Sequence, residues 1–316
     1  MFRRSLPVVG LVLAFGTEAL AQQPSGPPQV LLMTREQFRP GKMAEHNKQI
    51  PAFNALFERA KVGGYRLGLV PVSGDQNHLL YLEGYPSFAE MEATTAKIEA
   101  AWAASPAMRA EFDALTLKND PLHESQTAWL ARLRPDLSYR PNTMERTGKA
   151  RYFSVSVTRV NTGRGADYAD YVKQTNAARE KANLDEHTAV FQVLNGAPAG
   201  TYLVMGTSRS MSESDDFFKG LDARTKKMNE ALGGEVVVRQ RNKTFSEIVA
   251  QSTTTLYSID RALSRPRPEF VAADPDFWKP HPEIRGALER LYDKVTERAM
   301  ALAYGGRGRE GTTDEE

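Results

Sequence analysis

The chain has 316 residues, with 41 Lys and Arg against 39 Asp and Glu, five histidines and no cysteine. Without cysteine, disulfides, thiolate metal sites and a cysteine nucleophile are excluded. The charge balance leaves no basic block for nucleic acid, and no apolar run reaches the roughly 20 residues that a membrane-spanning helix needs.

In chain order, Arg3 and Arg4 precede an apolar run from Leu6 to Phe15, and Ala19 and Ala21 frame a signal-peptidase site. Residues 1–21 are therefore expected to be a signal peptide, cleaved after Ala21 on export to the periplasm or the cell exterior. Residues 22–28, rich in Gln and Pro, read as a linker. The arginine pair leaves the twin-arginine route open. Without Arg3, Arg4 and Glu18 the basic and acidic counts fall to 39 and 38, which is close to neutral.

A strand is expected at Val30–Phe38, then a Pro40-Gly41 turn and a helix whose Met43, Ile50, Phe53, Phe57 and Ala60 make one apolar face. Strands at Tyr65–Val70 and Leu79–Glu83 follow, joined through Ser73-Gly74. Ser87 and Glu90 have the spacing of a capping box, which opens a helix striped by Phe88, Met91, Ile98 and Trp102. Pro106 begins a further helical segment, and Thr127–Leu133 closes the series as a strand.

The pattern then repeats. Sliding 41–84 by 122 positions onto 163–206 aligns eight identities, among them Gly41/Gly163, Asn54/Asn176, Glu58/Glu180, Gly74/Gly196 and Gly84/Gly206. The second copy has expected strands at Tyr152–Val160, His187–Val193, Thr201–Met205 and Thr253–Ile259. A second capping box is expected at Ser210 and Glu213. Strand, helix, strand, strand, helix, strand, taken twice, is the order of two ferredoxin-like modules, 29–141 and 150–268. Each four-stranded sheet has one bare face, and the other module, packed sheet to sheet, is the expected cover.

In element order and duplication the chain resembles the dimeric α/β-barrel superfamily. That group holds antibiotic-biosynthesis-type monooxygenases, small stress-response barrels, chlorite dismutases and dye-decolourising peroxidases. The resemblance implies an α+β, pseudo-dimeric α/β barrel within one chain. The superfamily has no shared catalytic signature, so no residue role is carried over, and haem is suggested by fold analogy alone. Beyond the modules, 269–304 is expected to be a helical extension with a striped helix from Pro282 to Tyr304, and 305–316 a disordered tail.

No histidine pairs with another at helical metal-ligand spacing, and no phosphate loop or nucleophile elbow occurs, so no metal, cofactor or catalytic residue is expected from motifs. His46 aligns with Tyr168 and reads as a packed ring beside the helix stripe; Tyr65 aligns with His187 on a strand. Alternation puts Ser154, Ser156 and Thr158 on one face and Phe153, Val155 and Val157 on the other. The hydroxyl row is expected inside, matched in the first copy by Leu32, Thr34 and Glu36. Thr34, Glu36, Tyr65, Ser154, Ser156, Thr158 and His187 are thus the candidate ligand-binding residues. The expected function is binding of a small, partly apolar molecule in the barrel. A cofactor-independent monooxygenase-like oxidoreductase and a solid scaffold are the alternatives.

Overall fold

The computed structural model describes residues 26–279. The expected signal peptide, the Pro282–Tyr304 helix and the tail lie outside them. In the first module β1 (Val30–Phe38) leads to α1 (Met43–Ala60), the hairpin β2 (Arg66–Pro71) and β3 (His78–Tyr85), helices α2 (Phe88–Ala104) and α3 (Pro106–Asn119), and β4 (His123–Leu133). After a short α4 (Met144–Gly148), the second module runs β5 (Tyr152–Val160), α5 (Gly165–Lys181), β6 (Ala189–Asn195) and β7 (Thr201–Ser208). Helices α6 (Ser212–Lys219), α7 (Leu221–Leu232) and α8 (Glu235–Ile248) then lead to β8 (Val249–Arg265). Two short helices, α9 (Pro268–Ala273) and α10 (Pro275–Trp278), end the described chain.

Within each module the strands pair in the ferredoxin-like order, β4–β1–β3–β2 and β8–β5–β7–β6. As expected, the bare sheet faces of the two modules cover each other around one shared interior core, and the modules are also joined edge to edge. β2 pairs antiparallel with β8 and β4 with β6, which closes one eight-stranded barrel. Each isolated module would leave two strand edges unpaired, and closure removes all four. Both seams depend on a glycine. A Cβ at Gly68 of β2 would lie 2.6 Å from the Leu263 Cβ. At Gly196, in the β6–β7 turn with φ +90°, a Cβ would collide with the Ala128 carbonyl of β4.

The interior holds the largest core, with buried residues from all eight strands, including Leu31, Leu69, Leu82, Ala131, Phe153, Val193, Met205 and Ile259. Phe153 and Val155 therefore face inward, with Leu31 and Met33 of β1, while Ser154, Ser156, Thr158, Thr34 and Glu36 take the outer face. Alternation holds as expected, but its sense is reversed. Alternation alone leads to the expectation that the apolar side faces the helices. In a closed barrel the shared interior is the drier place, and each large apolar side chain buried there gains about 1.5–3 kcal/mol. The outer hydroxyls instead bond across to β8: Ser156 Oγ to Thr254 Oγ1 at 2.7 Å and Thr158 Oγ1 to Ser252 Oγ at 3.0 Å.

Smaller outer cores lie under α1 and α5, around Ile50 and Phe53 in one module and Tyr168 and Ala169 in the other. Ser87 caps α2 as its spacing predicts, its Oγ accepting from the Glu90 N–H. The second expected capping box does not form. The Arg209 backbone N–H and guanidinium engage Glu213, and α6 starts at Ser212 with no side-chain cap. One end of the barrel is plugged by α9 and α10, where Phe270 and Trp278 join the interior core and the Trp278 indole N–H donates to the Gly148 carbonyl at 2.7 Å.

Candidate functional site

The barrel is packed through its middle and leaves a cavity beneath the end that α9 covers. Where β1, β2, β5 and β6 begin, the strands, α4, α9 and residues 26–29 surround a cavity of about 150 Å³. Leu31, Leu67, Leu82, Phe153, Phe191, Met205 and Phe270 make its apolar wall. A cavity near this size, lined by Leu, Ile and Phe, is known to take one benzene ring.

Polar groups sit at the rim. Tyr65, Arg66, Arg265 and Arg267 line it from the first module's edge and the end of β8. Arg265, 5% exposed, donates from Nε to the Gly64 carbonyl and from Nη1 to the Val62 carbonyl, both at 3.2 Å. Backbone carbonyls thus hold it, and burial pushes its guanidinium below the usual arginine range. Arg267 donates to the Gly84 carbonyl, and its guanidinium lies 5.9 Å from the Tyr65 ring centre. Across the cavity Asn142 donates from Nδ2 to Thr207 Oγ1. Of the six buried side-chain atoms without a hydrogen-bond partner among the described residues, two, Asn142 Oδ1 and Glu269 Oε2, belong to residues lining this cavity. An orphaned buried acceptor costs about 1–3 kcal/mol, so a partner brought by a ligand restores that energy.

Of the residues expected to bind a ligand, Tyr65 lines this cavity. His187 lies away from it, its ring nitrogens 2.6 Å from the Arg140 carbonyl and 2.9 Å from Asp185 Oδ1. Ser154, Ser156, Thr158 and Thr34 are on the outer wall. Glu36, also outside, is packed under α1 with His46 and His123. Its Oε2 lies 3.5 Å from His46 Nε2 and 3.3 Å from His123 Nε2, while Oε1 accepts from Gln126 Nε2 at 2.8 Å. Burial works against the Glu36 charge, but the His123 hydrogen bond and nearby positive charge hold its carboxyl below the usual range. Burial brings His46 down to about 4, despite Glu36, so its ring is neutral. The hydrogen bond to Glu36 raises His123, against burial.

Sequence reasoning missed Asn142 and Glu269, which lie in loop and helix segments outside the repeat and carry no motif. For His46 a signal existed. Its spacing from Ile50 and Phe53 puts it on the buried stripe of α1, and the correct facing of β1 brings Glu36 to that stripe.

The cavity does not fit the haem that fold analogy suggests. Among the described residues no histidine lines it, and a space sized for one ring does not hold a four-ring macrocycle.

No family model and no curated protein matches the sequence. Solved structures with a similar chain path include a candidate monooxygenase from Lactobacillus acidophilus NCFM, at 6% identity and a TM-score of 0.42, covering 74% of this chain and 94% of that one. An anthrone oxidase-like protein shows 13% identity and a TM-score of 0.42, over 73% of this chain and 91% of that one. A mutant chlorite dismutase from Candidatus Nitrospira defluvii, in complex with cyanide, shows 7% identity and a TM-score of 0.41, over 78% and 95%. The α/β-barrel architecture itself rests on the strand pairing described above.

Proposed function

We propose that the barrel-end cavity binds a small molecule with one aromatic ring and a hydroxyl or amino group. The observation that carries this reading is an apolar, ring-sized cavity with two orphaned acceptors, Asn142 Oδ1 and Glu269 Oε2, on its wall. The ring would lie among Phe153, Phe191 and Met205, and its donor would meet an acceptor that otherwise has no partner. A fully packed barrel, as the scaffold reading requires, would have neither feature.

The oxidoreductase alternative has one specific support. Glu269 is the only carboxylate among the lining residues, placed to take a proton from a bound phenol. One experiment addresses both readings. Calorimetric titration of the full chain with p-cresol and with toluene should show the phenol binding about five-fold tighter, the worth of one hydrogen bond near 1 kcal/mol. Asn142→Leu should reduce that preference. Equal affinity, or no binding of either, defeats the ligand proposal. Oxygen consumption with the bound phenol, lost in Glu269→Gln, would favour the enzyme. Export with cleavage after Ala21 is also proposed, from residues 1–21. Secreted protein with the intact mass of the uncleaved chain would refute it.

A further inference from the structure

Outside the barrel, the first module holds a cluster that the proposed cavity does not use. We propose that Glu36, His46 and His123 form a binding site for a divalent transition-metal ion of the Zn²⁺ class. Three segments contribute, the end of β1, the first turn of α1 and the first residue of β4, and their donor atoms lie within 4.8 Å of one another.

The geometry points to an ion in three ways. Donor atoms bound 2.0–2.1 Å from one tetrahedral zinc lie about 3.3–3.4 Å apart. The two edges at Glu36 Oε2, 3.3 Å to His123 Nε2 and 3.5 Å to His46 Nε2, already match that spacing, leaving the His–His edge to close on binding. Secondly, His46 has its other nitrogen engaged, as metal-bound histidines almost always do. His46 Nδ1 lies 2.9 Å from Asn119 Oδ1, an acceptor, which puts the proton on Nδ1 and a lone pair on Nε2. His123 opens β4 just after α3 and Asn119, so one junction between α3 and β4 carries both the Asn119 partner of His46 and the His123 ring.

Thirdly, the donor set is chemically suited. Two imidazoles and one carboxylate bind borderline transition ions, with positions left for water or a further ligand. Gln126 occupies Glu36 Oε1, which turns Oε2 toward the two rings. The Tyr81 hydroxyl, 3.1 Å from His46 Nε2, now meets the lone pair an ion would take and is the group that must turn aside. Access runs along the His123 side, where the side chain keeps 12% exposure against 1% for His46. The second module has no such set, so the site belongs to one half of the barrel.

The test is titration of the chelator-stripped full chain with Co²⁺, followed by its visible d–d absorption. The expected result is a single bound equivalent whose affinity falls roughly ten-fold or more in Glu36→Gln and in His123→Gln. Asn119→Ala, a positioning change, should weaken binding by about ten-fold while circular dichroism stays unchanged. If Glu36→Gln fails to fold, His123→Gln decides, because that side chain is at the edge of the cluster. Failure of the stripped protein to bind micromolar Co²⁺ overturns the proposal. So does binding that follows His187→Ala or His281→Ala and ignores His123→Gln. None of these outcomes touches the cavity reading, which involves none of Glu36, His46 and His123.

Discussion

The two modules occupy matching places in the barrel, yet their outer pockets have different chemistry. Where the first holds Glu36, His46 and His123, strand register and the helix repeat put Thr158, Tyr168 and Val249 in the second. Glu36 pairs across to Gln126 as Thr158 pairs to Ser252, and Phe38 to His123 as Val160 to Val249. The second pocket is filled by rings and hydroxyls, with Tyr168 and Tyr202 at 4.6 Å between centroids. Inside the barrel the halves stay alike: Leu31, Met33 and Leu80 answer Phe153, Val155 and Leu203. The shared interior must be apolar from both sides for the barrel to close, which holds the halves to one solution. An outer pocket is built mainly from its own module, with one residue lent by the other, Leu263 under α1 and Leu137 under α5, so it is freer to differ.

The largest test of this comparison is a pair of equivalent truncations. Leu80 opposite Arg35 and Leu203 opposite Val157 hold the same register, at 3% and 0% exposure. Leu80→Ala and Leu203→Ala should each cost about 2–5 kcal/mol. Both should lower one cooperative calorimetric transition, because each cavity opens into the same core. Two separated transitions, with each variant moving only one, would show that the modules melt independently.

A smaller difference lies at the other end of the interior, where His78 of the first module answers Thr201 of the second. His78 Nε2 is 3.0 Å from the Tyr257 hydroxyl, and Arg35, Asp75 and Tyr257 face the ring. Burial, aided by Arg35 and opposed by Asp75, holds the imidazole below its ordinary 6.5. The unfolded chain therefore takes up this proton at a higher pH than the folded one. Stability contributed here is present above 6.5 and declines as pH falls toward the folded value. Urea midpoints should thus drop between about pH 7.5 and 5.5, and less steeply in His78→Gln. Thr201→Ser should leave the slope as it is. An unchanged slope in His78→Gln would mean the ring protonates freely in the fold.

Much of the architecture was legible in the sequence because it was written twice. Val30–Phe38 and Tyr152–Val160 are strands over the expected residues, and the two central glycine turns, Gly74 and Gly196, both have positive φ. Strand spans and alternation are local properties, and they were readable. Which face lies inside is decided by closure, and no local pattern records that β2 finds β8 and β4 finds β6. The same limit hid the candidate sites. Glu36 and His123 are 87 positions apart and meet only through the β1–β4 ladder. Asn142 and Glu269 come together only where α4 and α9 pack over the barrel end.

The smallest predicted effect tests that facing directly. Ser156 is half-buried on the outer wall, where its hydroxyl bonds to Thr254 of β8. Its neighbour Val155, 3% exposed, belongs to the interior core. Ser156→Lys removes one partly solvated hydroxyl pair, and the lysine stem can lie along the strand with its ammonium in water. The cost should stay within about 1 kcal/mol, as for surface substitutions generally, with phenol binding in the distant cavity unchanged. Were Ser156 to face inward, as strand alternation alone allows, the ammonium would be forced into the apolar core without a partner, and the fold would fail. A thermal melt of this single variant distinguishes the two, since both facings keep the same strand, register and sheet order. A collapse of the melting temperature in Ser156→Lys would turn the barrel wall inside out and take with it the assignment of Glu36 to the outer pocket.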